Sequence, residues 1–280
     1  MNRIKALCLA ALLFPGLIAP SCGHKNENPD NRPVVAVTTS YLECAVLELL
    51  GERARILRLA PPGMCPGHYD ISPGQVRDLR AAVLILRFDF QQGLDEKIRQ
   101  IAGNKAPIAA ITAPEGLSIP QSYRICVEEC HTDLARVFPQ WSADLNAAHN
   151  AAVTLLDHLS LEGPRSLSEA GLTSATVAAS GHQSVFCRWL GLDVAAEYSG
   201  EAVTPRTLSR LWERGEESGV AFVVGNLQEG GQTAQAIAAR LGKPIAVLSN
   251  FPSMVPEQDS FEKMFHHNVN EIIKAGRGHP

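Results

Sequence analysis

The sequence predicts an α/β fold of two lobes, each a mostly parallel sheet flanked by helices, joined by one long helix. Three observations carry this. Short apolar, β-branched runs alternate with helical patterns between residues 34 and 111. The alternation resumes between 172 and 276. Between the two series, Trp141 to Leu159 has the strongest helical spacing in the chain. Strand–helix alternation implies parallel pairing, because each crossover helix returns the chain to the same end of its sheet. Two such series make two lobes with a cleft between them, where a small ligand usually binds.

The first series opens with a strand at Pro33–Thr39, rich in valine and ending in small polar residues, as a buried parallel strand does. Ser40 caps a helix over Tyr41–Leu50, with Leu42, Ala45, Val46, Leu49 and Leu50 at helical spacing and Gly51 as the stop. A strand follows at Ala54–Leu59, and Pro61-Pro62-Gly63 forces a loop. Ser72 or Pro73 starts a helix to Leu79; strands at Ala82–Leu86 and Pro107–Ile111 flank a helix over Leu94–Ile101. The long helix has Ser142 as its cap and stops at Gly163-Pro164. The second series places strands at Ala175–Ala179, Val194–Tyr198, Val220–Val224 and Pro244–Leu248. Its helices run over Gln183–Leu190, from Thr204-Pro205, over Thr233–Leu241 and over Phe261–Ala275.

The first residues read as an export signal, residues 1–21. Met1–Lys5 is basic, Ala6–Ala19 is apolar and short of a membrane span, and small residues lead to Cys22. Ala19-Pro20-Ser21-Cys22 is similar to a bacterial lipoprotein processing site, which makes Cys22 a lipid anchor on a membrane. Residues 22–33 are polar with nothing to bury, a flexible tether. The remaining boundaries are an N-terminal lobe at 34–140, the linking helix at 141–162 and a C-terminal lobe at 172–276. The expected location is the periplasm or cell surface, and the expected state a monomer. The formal net charge of -4 gives no basic footprint for nucleic acid. Of seven cysteines, Cys44, Cys65, Cys126, Cys130 and Cys187 remain beyond the signal and anchor. In an exported chain that odd set suggests one or two disulfides and a free thiol. No C-x-x-C pair supports a zinc ribbon or a redox motif.

Two histidines follow predicted strands, one per lobe: His68 after the Pro-Pro-Gly loop and His182 in Ser180-Gly181-His182. Ligands gather beyond the carboxyl ends of strands in open α/β sheets, so these two can converge in the cleft. Neutral imidazole suits zinc, manganese, iron and copper ions. Cys126-Val127-Glu128-Glu129-Cys130-His131 adds a third candidate. His149, His158, His266 and His267 fall on helices and read as ordinary surface residues. Ser180–Ser184 lacks the G-x-S-x-G elbow of a serine hydrolase, and a zinc hydrolase would need three ligands and a water.

The run Leu59-Ala60-Pro61-Pro62-Gly63-Met64-Cys65-Pro66-Gly67-His68-Tyr69-Asp70-Ile71-Ser72-Pro73 resembles the signature of the metal-binding receptors of bacterial ABC importers. This is the zinc/manganese solute-binding, adhesin-like family, cluster A-I. Ser180-Gly181-His182-Gln183-Ser184, Thr204-Pro205, Gly225-Asn226-Leu227-Gln228 and Lys243-Pro244-Ile245-Ala246-Val247-Leu248 are similar in order and spacing, so the resemblance spans residues 34 to 276. It implies two α/β lobes on a rigid helix, no enzymatic activity, and capture of zinc or manganese as the transported ligand by lobe closure, with delivery to an ABC permease.

The resemblance also implies four ligands, two from each lobe. His68 matches the first and His182 the third. The family's second ligand motif is missing here; His131 fits by order, and Arg136 stands as the alternative. The acidic fourth ligand is replaced by Asn250, with Asn226 and Glu229 as alternatives. The implied set is therefore His68, His131, His182 and Asn250, which has lost negative charge unless Glu229, Asp70 or a water helps. Cys65 and Cys130 are alternative donors. A divergent member binding another metal or a metal chelate is the first competing expectation, and an exported zinc hydrolase built on the three histidines is the second.

Overall fold

Two copies of one strand order form the scaffold. The computed structural model describes residues 31–64, 72–103, 105–198, 213, 217, 219–253 and 256–278. Strands β1 (Val34–Val37), β2 (Arg55–Arg58), β3 (Ala82–Phe88) and β4 (Ile108–Ile111) make one sheet in the order β2-β1-β3-β4. Strands β5 (Thr176–Ser180), β6 (Asp193–Tyr198), β7 (Phe222–Asn226) and β8 (Ile245–Leu248) make the other, in the order β6-β5-β7-β8. The pairings in both sheets are parallel, as the alternation predicts. The central strands β1 and β7 are buried along their whole length, consistent with layers on both faces.

The helices are α1 (Ser40–Leu50), α2 (Pro73–Arg80), α3 (Asp95–Ala102), α4 (Pro120–Val137), α5 (Ser142–Glu169), α6 (Gly181–Trp189), α7 (Gln232–Leu241) and α8 (Phe261–Gly276). Local signals explain their starts. At α2, Ser72 accepts from the Gln75 N–H while the Gln75 side chain reaches back to the Ser72 N–H, a full capping box with Pro73 at the first helical position. At α1 the cap is Thr39, whose Oγ1 accepts from the Leu42 N–H; the expected cap, Ser40, is the first helical residue and is buried.

Two helices depart from expectation. α5 does not stop at Gly163-Pro164 but continues to Glu169. An interior proline typically costs about 3 kcal/mol. Here the buried face continues past it, through Leu156, Leu159, Gly163 and Leu167. Gly163 belongs to that face for a packing reason: a Cβ there would lie 2.9 Å from Phe265 Cζ and 3.1 Å from Leu190 Cδ2. The second departure is α4, which the sequence reading did not place. Its Tyr123, Cys126, Val127, Cys130 and Leu134 are fully buried, and the 3-10 turn Pro139–Trp141 joins it to α5.

One hydrophobic core runs through both sheets' inner faces and through α1, α4, α5, α6 and α8. Aromatic contacts cross from the first sheet's layer to the second's. Tyr123 stacks on Phe261 at 4.1 Å between centroids, and Tyr41 lies 5.9 Å from both Tyr123 and Phe251. Smaller cores close the outer faces, around Leu79, Ile85 and Ile98 in one lobe and Val220, Val223 and Ile237 in the other.

The expected disulfides do not form among the described cysteines: Cys44, Cys126, Cys130 and Cys187 are free, buried thiols. They serve as small apolar core residues, and burial pushes the Cys126 and Cys187 thiols up to about 12. Among the described residues no helix is long and apolar enough to cross a membrane. The signal at 1–21, Cys22, Cys65, His68, Asp70 and the helix start at Thr204-Pro205 lie outside the described residues.

Candidate metal centre

The order β6-β5-β7-β8 sends the connection after β5 one way and the connection after β7 the other. A crevice opens between the carboxyl ends of those two neighbouring strands, where open α/β sheets bind ligands. His182 and Glu229 meet there. β5 ends at Ser180, which caps α6 by accepting from the His182 N–H at 3.3 Å. The same hydroxyl donates to Glu229 Oε2 at 2.8 Å. Glu229 Oε1 then lies 3.6 Å from His182 Nε2. The imidazole is open, with 58% of its side chain exposed, while the carboxylate is sunk, with 11%. Ser180 thus ties the backbone of one group to the side chain of the other.

The carboxylate reaches the crevice because β7 does not pass straight into a helix. A 3-10 turn, Leu227–Glu229, is followed by Gly230 and Gly231 at φ 75° and 68°. Two successive left-handed residues favour glycine strongly. Behind the turn, Gln183 Nε2 donates to Asn226 Oδ1 at 3.2 Å, so the amide at the end of β7 is engaged with α6.

Asn250 approaches from the loop after β8. Its N–H donates to Gln228 Oε1 at 2.9 Å. Next to it, buried Asn268 of α8 accepts from the Ser249 N–H at 2.9 Å and donates to the Ser249 carbonyl at 2.8 Å. The first lobe supplies the opposite wall. Phe90, 71% exposed, stacks on Phe88 at 5.8 Å in the turn after β3. Gln91 accepts from Thr38 Oγ1 at 2.6 Å. Between these walls are two adjoining cavities of about 350 and 310 Å³, each lined by His182, Asn250, Phe251, Phe90 and Leu117. Glu229, Asn226 and Gln228 line the larger one.

The structure therefore brings His182 and Asn250 together, and adds Glu229. It does not bring His131 with them. His131 sits on α4, facing α5, with Nε2 2.9 Å from Asn146 Oδ1 and its ring 4.6 Å from that of His149. The reason is the continuity of α4. The chain just before the helix touches the cleft, where a Cβ on Gly116 would meet Val185 at 3.0 Å. Residue 131 lies eleven residues into the helix, about 16 Å further along at 1.5 Å per residue. The alternative Arg136 pairs with Asp133 at 2.7 Å on the outer surface and is also away from the cleft. Among the described residues no group of three His, Cys, Asp or Glu is placed to hold a metal ion. His68 lies outside the described residues.

Residues 35–275 match the family described as zinc-uptake complex component A, periplasmic (ZnuA). The chain belongs to this family. It is an extracytoplasmic receptor of the ZnuA family that captures a transition-metal ion for ABC-type import, and it is not an enzyme. Solved structures share its fold. A crystal structure of ZnuA superposes with a TM-score of 0.72 at 18% identity, covering 88% of this receptor and 100% of that chain. A Mn-bound periplasmic metal binding protein from candidatus liberibacter asiaticus gives 0.71 at 12% identity, covering 87% and 99%. A Cd-bound form of that protein gives 0.71 over the same shares. No curated protein matches the receptor's sequence.

Proposed function

We propose that the receptor holds zinc or manganese in the cleft between its sheets, with His182 and Asn250 as ligands from the C-terminal lobe and His68 from the N-terminal lobe. The observation that carries the reading is the convergence of His182 and Asn250, from the ends of two different strands, on one inter-lobe cavity. His182 offers an exposed imidazole, the donor type that these ions share. Asn250 offers an amide oxygen on a loop fixed by Gln228 and Asn268. His131 has no part in this set, because its partners are on α5. The receptor acts as a monomer, exported by residues 1–21, anchored through lipid on Cys22 and carried on the tether 22–33, from which it hands the ion to its permease.

Elemental analysis of the purified receptor should find close to one equivalent of metal per chain. Calorimetric titration of His182→Ala and His68→Ala should each show a loss of more than about 100-fold in affinity, since residues that only orient a ligand already cost roughly 10–100-fold. Unchanged affinity in both variants sinks the assignment. Replacing Cys22 by Ala should move the receptor from the membrane fraction to the soluble one.

A further inference from the structure

We infer that Glu229 is a direct ligand of the bound ion and supplies the negative charge that neither Asn226 nor Asn250 provides. The inference rests on the cleft being the metal site, as proposed above.

Three features of the chain carry it. The first is the separation of Glu229 Oε1 from His182 Nε2, 3.6 Å. That is longer than a good hydrogen bond between these atoms. It is close to the edge of a metal tetrahedron: two donors each about 2.1 Å from an ion, at the tetrahedral angle, stand about 3.4 Å apart. The second is the hold on the carboxylate. Ser180 Oγ donates to Oε2 at 2.8 Å, so the oxygen nearer His182 is fixed in direction by the residue that also caps His182's helix. Carboxylates that bind metals are characteristically oriented by such a hydrogen bond. The third is the backbone. The 3-10 turn and the Gly230–Gly231 pair place the carboxylate in the crevice at the β5/β7 boundary, with 11% of its side chain exposed.

Charge decides between this role and a merely supporting one. A dication held by imidazole and amide donors keeps its full charge in a partly dry cleft, which is costly. One carboxylate in the coordination sphere halves it. A carboxylate that only orients a ligand histidine bonds the ring nitrogen opposite the metal; Glu229 instead faces Nε2, and both residues line the same cavity.

The test is calorimetric zinc titration of the full receptor as wild type, Glu229→Gln and His182→Ala, with cobalt(II) absorption spectra at saturation. The amide is isosteric and keeps the acceptor for Ser180, and thermal melts of the metal-free variants check folding. Glu229→Gln is expected to lose more than about 100-fold in zinc affinity, beyond the roughly 10–100-fold that residues merely orienting a ligand cost, and to change the cobalt spectrum, because a ligand has changed. Zinc affinity within threefold of wild type overturns the inference. So does weaker binding with an unchanged cobalt spectrum, which would place the carboxylate outside the coordination sphere. If His182→Ala weakens zinc and Glu229→Gln does not, the cleft remains the metal site and only the role of Glu229 falls. If His182→Ala also binds as wild type, the cleft itself is the wrong site.

Discussion

Asn268 fixes the position of Asn250 without touching the cavity. Fully buried on α8, it pairs with both the N–H and the carbonyl of Ser249. Asn268→Ala should therefore cost about 2–4 kcal/mol in urea unfolding, since two backbone polar groups lose their partner. Metal affinity should fall as well, because Ser249 no longer holds the Asn250 loop; a variant with wild-type stability contradicts the accounting. At this scale the sequence pointed to one residue that lines the cavity and hid another. His182 was legible because a histidine directly after a predicted strand is a local pattern. The pairing of Glu229 with Ser180 was not, because it joins residues 49 apart whose meeting depends on which strands are neighbours. His131 was misplaced because order along the chain was used where helix phase and length decide position.

Among the elements, α4 is written in the sequence by its periodicity but stands outside the strand–helix alternation. Tyr123, Cys126, Val127, Cys130 and Leu134 repeat at helical spacing behind Pro120 at the first position. Cysteines read as disulfide candidates masked that periodicity. The extension of α5 through Pro164 was not legible locally, because the compensation comes from α8. Gly163→Ala should destabilise by about 1–3 kcal/mol despite alanine's better helix propensity, since its Cβ would press on Phe265; a rise in melting temperature would show that the seam can yield. α1 carries a pH-sensitive group in the same region. Burial pushes Glu48 from 4.5 up to about 7, the nearby Tyr123 hydroxyl opposes that rise, and Glu262 of α8 adds to it. A carboxyl raised on folding favours the native state fully below its unfolded value. That contribution is lost as pH rises from about 4.5 through 7. Glu48→Gln should match wild type in stability near pH 4 and exceed it by about 1–3 kcal/mol at pH 8, the shift being discounted for partial exposure. Parallel pH dependence in both proteins would place the titration elsewhere.

For the whole molecule, the decisive feature is that the two sheets share one core. The lobe architecture was legible from strand–helix alternation, since parallel sheets with right-handed crossovers leave few alternatives. The continuity between lobes was not legible, because it rests on tertiary contacts such as Tyr123 on Phe261 and Tyr41 near Phe251, at 4.1 and 5.9 Å between centroids. Closure of the lobes on the ion, the expectation from sequence, would slide or part these rings if it were wide. Hinge motion usually crosses a few loop residues and shear motion small side-chain shifts, whereas here a packed aromatic seam lies across the axis. Entry and release of the ion should therefore be carried by the loops at the mouth, where Phe90 and Met64 are exposed beside the cavity. Small-angle scattering of metal-free and zinc-loaded receptor should give radii of gyration within about 1 Å of each other, as for partners that bind with little backbone movement. Zinc should at the same time raise the melting temperature by mass action on the native state. A compaction well beyond that limit on loading would mean that the seam opens, and that the two lobes behave as separate bodies.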